Sequence, residues 1–278
     1  MKRITINNFR CMLGQKKNGV QFGGNTIIES LKNGVLKKKL ASASASASAS
    51  ASDIDITHID INRMADYQKG YKLVKQNMNK GYFNLNLGGD HSISAVTIKP
   101  LVEKYKDDLL VIWIDAHADL NTYNSSLTKN LHGMPLGALT GLMDHWYNSN
   151  SKTAHLNPEN ILYVGIRDLD AFESDTILEN GIVNFPTYNS NIINIIGQHP
   201  AKHIHISCDI DSMDPSIMPS TGTPVSQGLT LKNVTNIIRA ATPRLVSFDL
   251  VEFNPLIGNR RQVRKTLTNV NKILSKIL

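Results

Sequence analysis

Five short apolar runs in this chain each stop at a group of acidic or imidazole side chains. Tyr82 to Leu87, Leu109 to Ile114, Ile161 to Gly165, His203 to Ser207 and Leu245 to Leu250 are rich in Ile, Val, Leu and aromatics, the composition of strands. After Leu87 comes Gly88-Gly89-Asp90-His91, and after Ile114 comes Asp115-Ala116-His117-Ala118-Asp119. Arg167-Asp168-Leu169-Asp170 follows Gly165, while Asp209, Asp211 and Asp214 follow Ser207. The last run leads into Glu252. Between the runs, Met64 to Lys80, Ser92 to Tyr105, Leu136 to Trp146, Leu231 to Ala241 and Arg261 to Leu278 keep helical spacing. Strands alternating with helices predict a three-layer α/β/α sandwich around a central, mainly parallel sheet. Ligands of such sheets bind beyond the carboxyl ends of the strands, where all five groups fall. Their summed charge would be strongly repulsive without compensating cations.

Composition narrows the class further. With 278 residues, 41% hydrophobic and 19% charged, the chain is expected to form one large domain over 1–278 rather than a disordered segment. No apolar run approaches the roughly 18 residues of a membrane helix. Met1 to Leu13 interleaves Lys, Arg and Asn with Ile and Phe, without the apolar core of a secretory signal. Two cysteines, Cys11 and Cys208, cannot build a disulfide framework, so a reducing, cytoplasmic location is expected. The formal charge of +7 raises nucleic-acid binding. Basic clusters such as Lys37-Lys38-Lys39 and Arg260-Arg261 are not interleaved with aromatics and read as solvated faces. Neither a nucleic-acid nor a membrane partner is therefore expected. Ala41 to Ser52 is a run of Ala-Ser repeats that can bury no face; it reads as a passive linker, with the regularity of an engineered replacement loop.

The spacing of the acidic groups points to metal. In an extended segment alternate side chains share a face, so Asp115, His117 and Asp119 are expected to point together, as are Asp209 and Asp211. With His91 they supply four carboxylates and two imidazoles. That is too many for one four-coordinate zinc and suits a bridged pair of ions. Carboxylate-rich sites with few imidazoles and no thiolate favour a hard or borderline ion such as manganese. Cys208 falls on the opposite face from Asp209 and reads as a packed core residue. His203 and His205 share the face of Asp209, but His205 lies roughly 13 Å back at about 3.3 Å per residue. Both are expected to meet solvent or a partner at the far end of the sheet. The reaction class that follows is metal-assisted hydrolysis of an electrophilic carbon or phosphorus.

Gly88-Gly89-Asp90-His91-Ser92, Asp115-Ala116-His117-Ala118-Asp119 and Ser207-x-Asp209-x-Asp211-x-x-Asp214-Pro215 resemble the metal motifs of the ureohydrolase family, which contains arginases, agmatinases and formiminoglutamases. The motifs keep the family's order over nearly the whole chain outside the Ala-Ser run. The resemblance implies a pair of manganese ions, one held by His91, Asp115, Asp119 and Asp209, the other by Asp115, His117, Asp209 and Asp211. Asp115 and Asp209 would bridge. Within the family, Asn121 to Gly133 is similar to the arginase loop that holds the α-carboxylate of the substrate, which implicates Asn121, Ser126, Thr128 and Asn130. Ser126 and Thr128 are exchanged relative to the commonest order, and both remain hydroxyl donors.

Other roles carry over position by position. Asp170 and Glu173 match residues that meet the α-ammonium group. Glu252 matches the carboxylate that grips the guanidinium, where a planar fork meets a carboxylate. Thr223 matches a residue beside that carboxylate, and His132 the proton shuttle. The activity implied is hydrolysis of L-arginine to L-ornithine and urea, by a metal-bridging hydroxide that Asp119 orients. An agmatinase-like ureohydrolase and an inactive metal-binding scaffold are the alternatives. Leu13 to Val20 is similar to the family's first loop, while the segment between Asn180 and His203 is shorter than is usual and the chain ends soon after its last helix. The resemblance also implies a homotrimer.

Overall fold

The computed structural model describes residues 3–34, 36, 54–144, 146 and 154–278. The Ala-Ser run and Lys37-Lys38-Lys39 lie outside the described residues. Eight strands form a single sheet: β1 (Ile4–Cys11), β2 (Ile54–Ile61), β3 (Phe83–Leu87), β4 (Leu109–Ile114), β5 (Ile161–Val164), β6 (Val183–Phe185), β7 (His203–Asp209) and β8 (Leu245–Val251). Their order is β2-β1-β3-β8-β7-β4-β5-β6, and every pairing is parallel. The helices are α1 (Gly23–Asn33), α2 (Tyr67–Asn79), α3 (Ser94–Tyr105), α4 (Pro135–Thr140), α5 (Ala171–Glu179), α6 (Asn191–Gln198), α7 (Leu231–Ala241) and α8 (Arg260–Leu274). This is the expected three-layer α/β/α arrangement.

Strand alternation sends successive side chains to opposite layers. On β4, Leu110, Ile112 and Ile114 pack with Ile27, Ile196, Ile237 and Ile273 from α1, α6, α7 and α8. Leu109, Val111 and Trp113 face the other way, toward Leu101, Leu136 and Ile177 of α3, α4 and α5. Burying both faces of the inner strands accounts for their dense apolar runs.

Three strands carry weaker apolar signals and are not among the five runs. β1 and β2 alternate Ile and Phe with Asn, Asp, Arg and His, and β6 has only three residues. The helix expected over Leu136 to Trp146 stops at Thr140, because Gly141 turns the chain out with a φ of 85°. Met64 to Lys80 opens instead as a short 3-10 turn, Met64–Asp66, before α2 begins.

The layer beneath α2 and α3 is not uniformly apolar. Register places Asn7 beside Asn86, Asn86 beside Asp249 and Asp249 beside Ser207, a row across β1, β3, β8 and β7. A second row runs through Asn84, Ser247 and His205. All seven of these side chains are buried. His205 therefore does not meet solvent, contrary to the expectation of solvent or a partner at the far end of the sheet: it is fully buried, with Nε2 3.5 Å from Asp249 Oδ2. His203, at the start of the strand, stacks on Tyr105 at 3.9 Å between ring centroids. Among the described residues no helix is long and apolar enough to cross a membrane.

Candidate metal centre

The motif-bearing strands are neighbours. Reading across the sheet, β3, β8, β7, β4 and β5 lead into His91, Glu252, Asp211, Asp115 and Asp170 in turn, so chain segments far apart in sequence converge at one edge. Gly88 makes the first turn possible. It sits at a φ of 82°, and a Cβ there would come within 2.6 Å of the Gly24 amide nitrogen.

His91 Nδ1 lies 2.9 Å from Asp115 Oδ2, 3.0 Å from Asp119 Oδ2 and 3.5 Å from Asp209 Oδ2. His117 Nδ1 lies 3.2 Å from Asp211 Oδ2 and 3.6 Å from Asp115 Oδ1. Two groups of candidate ligand atoms result, His91–Asp115–Asp119 and Asp115–His117–Asp211, each with its atoms within 4.8 Å of one another. Asp115 belongs to both. Asp209 adjoins them, with Oδ1 accepting the Asp211 amide at 2.8 Å.

The convergence has a different local cause from strand alternation. β4 ends at Ile114, and Asp119 returns to the cluster through a left-handed residue, φ 51°. Asp211 likewise lies in a 3-10 turn, Ile210–Ser212, that follows β7. Trp113 braces the centre from beneath: its ring stacks on His91 at 4.2 Å, and its Nε1 donates to Asp115 Oδ2 at 3.1 Å.

The donor set fits a metal. Buried His91 Nδ1 makes no hydrogen bond although three carboxylate oxygens surround it. A ring nitrogen among carboxylate oxygens calls for positive charge between them, a proton or a metal cation. Burial lowers His91, while Asp115, Asp119 and Asp209 raise it well above its ordinary value. The protonation equilibria show the same need for positive charge. Burial raises Asp209 and Asp211, and neighbouring carboxylates raise them further, Asp211 to about 6. Burial lowers His117, but Asp115 and Asp211 overcome it and push the ring to about 12. Burial also raises Asp115, yet His117 and His91 leave it below the ordinary carboxylate range. Oxygen and imidazole donors without a thiolate are those expected for a hard or borderline divalent ion.

Glu252 is fixed beside this cluster at a φ of 67°. Its Oε1 accepts the His91 amide at 3.0 Å and its Oε2 accepts Gln15 Nε2 at 2.6 Å. His132 Nδ1 lies 3.3 Å from Oε1. Burial raises Glu252, but His132, the His91 amide and Gln15 together bring it below its ordinary value. Burial lowers His132 in turn, and the Glu252 carboxylate reverses that and raises the ring to about 9. The Thr223 hydroxyl donates to Asp211 Oδ2 at 2.9 Å, and its neighbour Gly222 lies beside Gln15 and Glu252.

Asn121 to Asn130 forms a self-bonded loop next to the cluster. Asn121 and Ser126 are buried, Thr128 is exposed and Asn130 is half-buried. Ser126 Oγ accepts the Lys129 amide at 3.1 Å. Asn121 Nδ2 donates to Asp170 Oδ2 at 2.7 Å and so ties the loop to α5. Asp170 and Glu173 also cap that helix: Asp170 Oδ1 accepts the Glu173 amide at 2.8 Å, and Glu173 reaches back to the Asp170 amide. Burial, followed by the Asp119 charge, pushes Glu173 up to about 7.

Gln15 and Trp113 were not among the expected site residues. Gln15 follows β1, so recognising that strand would have placed Gln15 at a sixth carboxyl end. Trp113 looks like an ordinary core residue until its ring is seen under His91.

Comparison with known proteins agrees with this geometry. The Arginase family matches residues 3–278. An arginase of Schizosaccharomyces pombe is 35% identical over 219 residues, 74% of this chain and 68% of that protein. An arginase of Plasmodium berghei is 37% identical over 68% of this chain and 58% of that protein, so the aligned stretch spans about two thirds or less of these relatives. Among solved structures, Bacillus subtilis arginase superposes with a TM-score of 0.84 at 27% identity, covering 100% of this chain and 98% of that one. Entamoeba histolytica arginase in complex with L-ornithine superposes with a TM-score of 0.81 at 28% identity, covering 99% and 97%. By the match along its length and by these relatives, the chain belongs to the arginase family.

Proposed function

We propose that this protein is a metal-dependent hydrolase that cleaves the guanidinium group of L-arginine to L-ornithine and urea, with two manganese ions as cofactors. The observation that carries this reading is the pair of ligand groups sharing Asp115, with Glu252 held beside them. His91, Asp115, Asp119, Asp209, His117 and Asp211 would hold the ions. Metal bound there would supply a water nucleophile near neutral pH.

The protein's own groups do the rest. Glu252, with its oxygens held by the His91 amide and Gln15, presents one fixed carboxylate plane to the guanidinium. Asp119 orients the nucleophile. His132 directs Nδ1 at Glu252, so Nε2 is the atom free to hand a proton to the departing amine. Asn121, Ser126, Thr128 and Asn130 bind the α-carboxylate, and Asp170 with Glu173 meets the α-ammonium group. The L-ornithine in the Entamoeba histolytica arginase complex supports an amino-acid product over a simple diamine. By the same family resemblance we take the protein to be a cytoplasmic homotrimer; a light-scattering mass of one chain in solution would remove the trimer.

The deciding experiment offers L-arginine and agmatine side by side to manganese-loaded protein, with a chelated control, and measures urea. The expected result is urea from arginine alone, lost on chelation. Urea from agmatine instead would keep the metal chemistry and refute the roles given to Asn121, Ser126, Thr128 and Asn130. No urea from either substrate, with metal bound, would leave the scaffold reading standing.

A further inference from the structure

Beneath the candidate ligand His91 runs a chain of buried polar groups that the reaction does not use. His91 Nε2 lies 2.8 Å from Ser207 Oγ, Ser207 Oγ lies 3.1 Å from Ser94 Oγ, and Ser94 donates to Asp249 Oδ2 at 2.8 Å. Each hydroxyl carries a single proton, and an ionised carboxylate can only accept. Ser94 therefore gives its proton to Asp249 and accepts one from Ser207. Ser207 in turn accepts from His91 Nε2–H. The neutral ring therefore keeps its proton on Nε2 and turns the lone pair of Nδ1 toward Asp115 and Asp119.

We propose that Asp249 is a positioning residue that, through Ser94 and Ser207, fixes the tautomer of His91 and aims its Nδ1 at the metal. This inference rests on the metal reading of the cluster. The far side of the network keeps Asp249 an acceptor. Asp249 Oδ2 also accepts Thr97 Oγ1 at 2.5 Å, and Oδ1 accepts Asn86 Nδ2 at 2.7 Å. Asn86 Oδ1 accepts Asn7 Nδ2 at 2.8 Å, and Asn7 Oδ1 accepts Asn77 Nδ2 of α2 at 3.3 Å. One line of donors thus runs from α2 through β1 and β3 to the carboxylate on β8, while Asn7 Nδ2 and Asn77 Nδ2 also donate to Asn84 Oδ1 at 2.9 and 3.2 Å. Burial raises the Asp249 carboxyl, but His205 together with Thr97 and Asn86 keeps it below its ordinary range, so it stays ionised. Outer groups that set the orientation of a ligating imidazole are worth about 10–100-fold in metal affinity.

The test titrates the metal-free full chain with Co2+ by calorimetry and records the exchangeable ring N–H resonance of the loaded protein by proton NMR. In D249N an amide N–H must face either Asn86 or the Ser94 and Thr97 hydroxyls, so Co2+ binding is expected to weaken about 10–100-fold. S94A, which leaves Asp249 in place, should weaken binding similarly and broaden the His91 N–H resonance. The swap N86D/D249N moves the carboxylate one strand over, from β8 to β3. The amide now on β8 then donates to that carboxylate and keeps its oxygen for Ser94 and Thr97. Affinity should return to within roughly threefold of the parent. Parent-like affinity in folded D249N and S94A would overturn the relay, as would a swap no tighter than D249N alone. A parent chain that binds no Co2+ would instead overturn the metal reading on which the relay stands.

Discussion

At the scale of single residues, the site is organised by what surrounds Glu252. Three groups converge on its two oxygens, and His132 and Glu252 shift each other in opposite directions. The His132 proton is held to about 9, against an ordinary 6.5. The stability contributed by the raised His132 is therefore complete below about 6.5, as long as Glu252 stays ionised, and lost as pH rises through about 9. In E252Q the ring loses its charged partner, and a histidine NMR titration should find His132 back near its ordinary value. The same variant should lose about 10²–10³-fold in arginine turnover, the usual size for removing one preorganised electrostatic group, with Co2+ binding retained. Q15A removes a charge-assisted hydrogen bond worth about 1.5–3 kcal/mol, so kcat/KM should fall about 10–100-fold, while a value at the parent level would detach Gln15 from the site.

At the scale of elements, helix starts are specified locally and legibly. Asn259 accepts the Arg261 and Gln262 amides at 3.0 and 3.1 Å at the start of α8. N259A should cost about 1 kcal/mol in denaturant unfolding, with no change in metal binding. Asp66 ties the turn before α2, taking the Asn62 and Arg63 amides and Lys69 Nζ. Lys69 is the main cause that lowers its carboxyl from 3.8 to about 2. A depressed acid contributes stability above its unfolded value and loses it as pH falls toward its folded one. The gap in thermal stability between the parent and D66N should thus be full near neutrality and begin to close below about 3.8; a gap independent of pH would refute the assignment. The five inner strands were readable from their apolar residues even though Asn84, Asn86, Ser247 and Asp249 break the runs, whereas α1, α5 and α6 lie outside the expected helices. β1 was not readable, because the consecutive Asn7 and Asn8 break its alternation, and a polar strand residue ordinarily signals a solvent face.

For the whole molecule, the cost of gathering four carboxylates at one sheet edge falls on the metal-free state. A cation that binds only the folded chain stabilises it by about 2.7 kcal/mol at a hundredfold excess over Kd. The thermal midpoint should accordingly rise with added Mn2+ and drop on chelation, and a midpoint insensitive to both would count against the site. The motifs named six candidate ligands, and all six lie at one edge of the sheet. This much was readable because each ligand sits a fixed number of residues beyond a strand end, and parallel strands all end on the same side. The sequence by itself thus determined the layered parallel fold, the edge at which the chemistry lies and the residue types present there. The tertiary structure alone decided the strand order that makes β3, β8, β7 and β4 neighbours, the attachment of Gln15 to Glu252, and the burial of His205 and Asp249. The His205–Asp249 and Gln15–Glu252 contacts join positions 44 and 237 apart. Periodicity along a chain says which way a side chain faces, but not whether water or another polar side chain will meet it there.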